Sequence, residues 1–147
     1  MKTVEIYIET SIKAPAVRDG KYAAALVFTK VNGESAVRFV SGKEEETTFN
    51  RCTLLAAIRA LQRLNQPCHV IIYTDCAYVK NMVEQGNPEK WRRAEWKKAA
   101  GGMVQNRELW KLFLEEKEKH KVEFRFCKDN NYRETLRAVM EEEEITV

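Results

Sequence analysis

Residues His69 to Thr74 (HVIIYT) form a six-residue run with no acid and almost no polarity, and Asp75 follows at once. A strand with one wet face alternates polar and apolar residues. A short, nearly continuous apolar run is instead expected for a central strand covered on both faces. The punctuation around it agrees. Gln66-Pro67 stops the chain just before it, and a helix is expected from Cys76 to about Glu84, ended by Gly86-Asn87-Pro88. A buried central strand needs partner strands on its edges and helices on its faces.

The rest of the chain supplies them. Val4, Ile6 and Ile8 alternate with Glu5, Tyr7 and Glu9, a strand pattern. Tyr22–Thr29 and Ser35–Val40 are two further strand candidates, and Asn32-Gly33 between them is a hairpin turn signal. Thr47-Thr48 can cap a helix whose apolar positions Leu54, Ala57, Ile58, Leu61 and Leu64 recur at helical spacing. Beyond Gly101-Gly102 a longer helix is expected from about Val104 to Lys119. Val122, Phe124 and Phe126 then mark a fifth strand, and a last helix starts near Asn131, with Leu136, Val139 and Met140 on one face. The order β-β-β-α-β-α-(basic segment)-α-β-α predicts an α/β fold, a mixed five-stranded sheet with helices on both faces.

A chain of 147 residues, 44% hydrophobic and 32% charged, is expected to fold as one domain over residues 1–147, with no internal repeat or linker. Glu5 and Glu9 interrupt the apolar residues at the N-terminus, which excludes a signal peptide or membrane span there. Cys52, Cys68, Cys76 and Cys127 form no CxxC pair and no zinc spacing, so reduced thiols in the cytoplasm are expected. The net charge of +3 points to no partner, but its distribution does. Between Asn87 and Arg107 six basic residues face two acids, whereas Glu141–Glu144 is an acidic run expected to be a solvated helix end. Aromatic Trp91 and Trp96 set among Arg92, Arg93, Lys97 and Lys98 suit a nucleic-acid backbone. The plainer reading is a solvated helix face, with one tryptophan anchoring it.

Three acids fall where packing does not explain them. Glu9 closes the first strand, Asp75 closes the most apolar one, and Glu134 lies in the first turn of the last helix. Ends of adjacent parallel strands come together, and two carboxylates that close repel unless a cation lies between them. Hard oxygen donors of this kind suit Mg²⁺ or Mn²⁺. Each acid also has a simpler role: Asp75 as cap of the helix from Cys76, Glu9 as a solvated strand end, and Glu134 as partner of Asn131 in a capping box.

With these residues in place the chain resembles the ribonuclease H family, type 1. Val4–Ser11 is similar to the family's first strand, with E-T-S for its D-G-S. Thr47-Thr-Phe-Asn-Arg51 followed by Leu54-Leu-Ala-Ala-Ile58 resembles the start of its first helix. Tyr73–Val79 is similar to the T-D-S-x-Y-V segment, Trp91–Trp96 with the lysines that follow to the basic handle, and Asn106-Arg-Glu-Leu-Trp110 to the N-x-x-L-W helix. Asn130–Leu136 resembles the final acidic helix. The resemblance implies a metal-dependent endonuclease that cuts the RNA strand of RNA–DNA hybrids, with Mg²⁺ or Mn²⁺ held by Glu9, Asp75 and Glu134. It implies hybrid contacts from Thr48, Asn50 and Arg51, and a handle over about 87–103 that grips the backbone through Trp91, Arg92, Arg93, Trp96, Lys97 and Lys98. The departures are that Glu9 and Glu134 stand for aspartates, Thr53 stands for the helix glutamate, and Cys127-Lys-Asp-Asn130 replaces a glycine- and histidine-bearing loop. They leave a second reading, a ribonuclease H-like module that binds nucleic acid or protein without cutting.

Overall fold

The computed structural model describes residues 1–142. Five strands and five helices follow one another as β1 (Lys2–Thr10), β2 (Arg18–Thr29), β3 (Ser35–Thr47), α1 (Phe49–Leu61), β4 (Cys68–Thr74), α2 (Ala77–Glu84), α3 (Asn87–Arg93), α4 (Arg107–Lys117), β5 (Lys121–Phe126) and α5 (Arg133–Glu142). The sheet order is β3-β2-β1-β4-β5, antiparallel across the first three strands and parallel from β1 through β4 to β5. This is the mixed sheet expected from the order of elements. No helix of the described residues is long and apolar enough to cross a membrane.

Local chemistry sets each boundary. At the β2–β3 turn Gly33 adopts φ +87°, which a side chain disfavours, and Lys30 N–H donates to Glu34 O at 2.7 Å. β3 runs past the expected end at Val40 through a polar stretch to Thr47, because β2 pairs with it as far as Arg18↔Thr47. Thr48 caps α1, its Oγ1 accepting Arg51 N–H at 3.2 Å. The main core lies on one side of the sheet, where α1 is buried along nearly its whole length against Ile6, Ile8, Val70 and Ile72, with Trp110 and Phe113 of α4 beside it.

The other face is covered differently from expectation. β4 alternates: Val70, Ile72 and Thr74 are buried, whereas His69, Ile71 and Tyr73 are half-buried. Among the described residues only α5 crosses this face, through Leu136 and Met140 against Ala23 and Ala25. Tyr7 stacks on Tyr73 with ring centroids 4.7 Å apart, and both hydroxyls donate to Glu5. Burial, then Glu5, pushes the Tyr7 phenol well above its ordinary range. All four cysteines are free thiols, and burial raises the pKa of Cys52, Cys68 and Cys76. The acidic run continues past α5, so Glu143 and Glu144 lie outside the described residues.

Candidate active site

Strand register brings two of the three singled-out acids together. β1 and β4 are parallel, and Tyr7 lies opposite Tyr73. Two residues further along each strand direction come Glu9 and Asp75, so the two carboxylates leave the same end of the sheet side by side. Asp75 does not cap α2. Cys76 holds that position, with its N–H given to Thr74 Oγ1 at 3.0 Å. Glu9 is no solvated strand end either, at 2% exposure.

A single cation joins them. The Lys13 ammonium donates to Asp75 Oδ2 at 2.8 Å and also to Glu9 Oε1. Glu9 is further held by Arg133 Nε at 3.2 Å and Arg137 Nε at 3.1 Å, both on Oε2, while Thr10 N–H donates to Oε1 at 3.2 Å. Arg133 is in turn paired with Asp129. Three cations and a backbone N–H thus surround the Glu9 side chain and offset the cost of burying it.

Lys13 reaches this place from the segment that follows β1. Ile12 is 2% exposed and anchors the segment, and its Cδ1 would lie 2.5 Å from a Cβ added at Gly20. The bare glycine therefore gives Ile12 its seat. Thr10 Oγ1 donates to Ile12 O at 2.8 Å and fixes the turn before Lys13. Arg133 and Arg137 are spaced i, i+4 on α5, so one helix face presents both guanidinium groups to Glu9.

The remaining singled-out residues divide. Glu134 is exposed in the first turn of α5. Among the described residues no three His, Cys, Asp or Glu side chains are grouped to hold a metal, so Glu134 does not complete a set with Glu9 and Asp75. Asn130, rather than Asn131, makes the turn into α5, accepting Tyr132 N–H at 2.8 Å. Thr53 is fully buried, and its Oγ1 makes no hydrogen bond of ordinary geometry, with the Cys76 thiol as polar neighbour. Asn50 Oδ1 accepts from that same thiol at 3.3 Å, tying α1 to the start of α2.

Arg51 is fully engaged inside the protein. It clasps Glu44 bidentately at 3.0 and 3.1 Å, and also binds Glu108 and Asn106. Glu44 and Glu108 are both held below the usual carboxylate range by that guanidinium. In the basic segment Trp91 packs edge-on against Trp110 with centroids 5.5 Å apart, and Trp96 is 7% exposed. Both tryptophans therefore anchor the segment, where one was expected to. Arg92 is paired with Glu118 and Lys97 lies 3.8 Å from Glu95, while Lys90, Arg93 and Lys98 are further exposed cations of the segment. Lys97 pairs with Met103 across a short antiparallel bridge, so the loop that carries these lysines is itself hydrogen-bonded.

Sequence reading did not single out Lys13, Arg133 or Arg137. The signal for the arginines was available in their i, i+4 spacing around Glu134. None was available for Lys13, whose position depends on how the turn after β1 folds back.

As a test of whether this place suits a divalent ion, the donor chemistry is informative. Two carboxylates already share one cation, which is the arrangement hard divalent ions take with oxygen ligands. The residues present fit such an ion at the position of the Lys13 ammonium.

Comparison with known proteins agrees with this fold. Residues 1–134 match the model of the RNase H family. The ribonuclease H of Chlorobium luteolum is 45% identical over 100 residues, covering 66% of this chain and 68% of that protein. That of Chlorobium phaeobacteroides is 36% identical over 130 residues, covering 88% and 85%. Among solved structures, LC9-RNase H1, a type 1 RNase H with the type 2 active-site motif, superposes with a TM-score of 0.79 over 97% of this chain and 72% of that one, at 20% identity. The foamy viral protease-reverse transcriptase in complex with an RNA/DNA hybrid gives 0.72 over 99% of this chain and 20% of that one, at 12% identity. At those identities the likeness is one of fold. The family match along nearly the whole chain, joined to a sheet whose parallel strands end in paired carboxylates, places this protein in the ribonuclease H family.

Proposed function

We propose that the chain is a cytoplasmic, single-domain ribonuclease H-like endonuclease that acts on the RNA strand of RNA–DNA hybrids. Family members in general depend on a divalent metal. The observation that carries the reading is that Glu9 and Asp75, on neighbouring parallel strands, share one cation. Glu9 and Asp75 would hold Mg²⁺ or Mn²⁺, with water rather than the exposed Glu134 filling the remaining positions. When bound, the ion supplies activation of water and stabilisation of the leaving oxygen.

The chain's own residues do the positioning. Lys90, Arg93, Lys97 and Lys98 meet backbone phosphates, and Trp91 and Trp96 set their spacing by anchoring α3 and its loop. Thr48 and Asn50, both half-buried at the start of α1, lie on the substrate side of the fold, and Arg51 orients that end through Glu44 and Glu108. Arg133 and Arg137 hold the Glu9 carboxylate through Oε2, leaving Oε1 on the side of Lys13.

One observation favours the second reading, a hybrid-binding module without catalysis. Glu9 is already surrounded by three cations, and Thr53 offers a neutral hydroxyl where the family resemblance calls for a carboxylate. A labelled RNA–DNA duplex incubated with each metal separates the two readings. Cleavage of the RNA strand that is lost in Asp75→Asn supports the nuclease. Binding without cleavage in either metal supports the module.

A further inference from the structure

We propose that Lys13 is the protein's own occupant of the metal position, and that a divalent ion binds Glu9 and Asp75 only by displacing its ammonium. This rests on the reading that these two carboxylates take an ion.

Position comes first. One Lys13 Nζ touches both carboxylates and sits 5.5 Å from the Phe49 ring centroid. An ion shared by Glu9 and Asp75 would need the same volume. Two cations cannot both stand there at contact distance in a partly dehydrated site without strong repulsion.

Charge makes the same demand. Glu9 and Asp75 are already met by Lys13, Arg133 and Arg137, so the five groups together carry a net charge of +1. Adding a divalent ion to them would take the cluster to +3. Exchanging it for Lys13 takes the cluster only to +2, and the Asp129 carboxylate on Arg133 lowers either total by one. Exchange is therefore the favoured route.

The lysine is also built to leave. Its side chain is 36% exposed, whereas that of Glu9 is 3% exposed and that of Asp75 16%. Ile12 and the Thr10 hydroxyl hold the backbone just before it. The ammonium can swing into water while the turn stays put. In the closed form the two carboxylates do not repel each other, which an empty pair would do.

Apparent ion affinity then falls by the fraction of molecules in which Lys13 is out. If that fraction is about one tenth or less, removing the ammonium tightens binding about tenfold or more.

The test uses the full chain without nucleic acid, so it does not depend on catalysis. Mn²⁺ binding is read from the loss of the free-ion electron paramagnetic resonance signal. Lys13→Gln is expected to bind Mn²⁺ about tenfold tighter or more than wild type. Lys13→Arg, which keeps the charge, and Lys30→Gln, at the far end of β2, are expected not to tighten. A second measurement needs no variant of the site. With lysines ¹³C-dimethylated in wild-type protein, Mg²⁺ should move the Lys13 methyl resonance toward the value of a free lysine, saturating with ion binding. Unchanged Mn²⁺ affinity in Lys13→Gln, or ion binding with the Lys13 resonance unmoved, or no ion binding in either protein, would overturn the proposal. Hybrid cleavage alongside equal affinities sinks Lys13's role alone. Tightened binding without cleavage sinks the nuclease reading alone.

Discussion

Replacing Glu9 by Gln in metal-free buffer tests the cation ring around that residue. In a bare pair of neighbouring carboxylates, neutralising one relieves repulsion and raises stability. Here the sign reverses. Glu9 accepts from Arg133 and Arg137 at 3.2 and 3.1 Å and from the Lys13 ammonium, and its side chain is 3% exposed. Breaking a fully buried ion pair from one side costs roughly 3–5 kcal/mol, and an exposed pair contributes about 0–1 kcal/mol. The partners are 32%, 49% and 36% exposed, so water recovers part of the loss. A net cost of about 2 kcal/mol follows, between those limits. For a chain near this size, about 1 kcal/mol moves Tm by roughly 2–4 °C, so Glu9→Gln should melt about 4–8 °C lower in EDTA. Asp75→Asn breaks only the Lys13 contact and should fall by less than half as much. Calorimetry on both variants decides the matter. A Glu9→Gln melting point equal to or above wild type would refute the ring as a stabilising device.

Three other outcomes are expected. Thr53→Val removes a buried hydroxyl without a hydrogen bond and should add about 1 kcal/mol at most to stability, read as a higher urea midpoint, whereas Thr53→Glu should tighten Mn²⁺ binding while lowering metal-free stability. Hybrid binding should weaken with salt. Arg93→Ala should reduce the log–log slope by about one, and Arg92→Ala by less, because Glu118 already neutralises Arg92; the slopes come from titrations at several salt concentrations. His120 Nδ1 accepts Cys68 N–H at 3.0 Å, its Nε2 is buried without a partner, and burial lowers its pKa from the usual 6.5. The folded state then binds this proton less well than the unfolded one. The stability is fully present above about pH 6.5 and lost as pH falls toward the depressed value, so melts from pH 7 to 5 should flatten in His120→Asn.

Element type and order were legible because hydrophobic period and punctuation agree along the chain. β1 and β5 show strict alternation, α1 has both a capping threonine and an apolar stripe, and Asn32-Gly33 marks the hairpin. The errors have physical causes. β3 extends through Gly42–Thr47, a polar stretch with no strand pattern, because pairing with β2 supplies the hydrogen bonds that side chains did not advertise. β4 read as covered on both faces, yet Ile71 and Tyr73 are only half-buried, since one short helix crosses that side. The basic segment read as one grip. It folds as α3 and a glycine-bearing loop whose two tryptophans face inward, a matter of tertiary contact that residue type does not disclose.

The site was legible in its acids and illegible in its cations, and the reason bears on how it works. Parallel strands in register must bring Glu9 and Asp75 to one edge, so two acids at strand ends are enough to foresee their meeting. What neutralises them depends on a turn and on a helix approaching from 58 residues beyond Asp75, at Arg133. Family resemblance assigns that neutralising role to an ion; residue pattern hinted at Arg133 and Arg137 through their i, i+4 spacing and gave no reason to assign it to Lys13. Those side chains make the metal-free fold self-sufficient: the buried Glu9 has its counter-charges whether or not an ion is present. Because the fold does not depend on the ion, ion affinity rests on ligand geometry and on how readily Lys13 yields. That separates stability from metal loading. Within the site, a variant of Lys13, Arg133 or Arg137 moves the first without removing an ion ligand, whereas Asp75→Asn removes one.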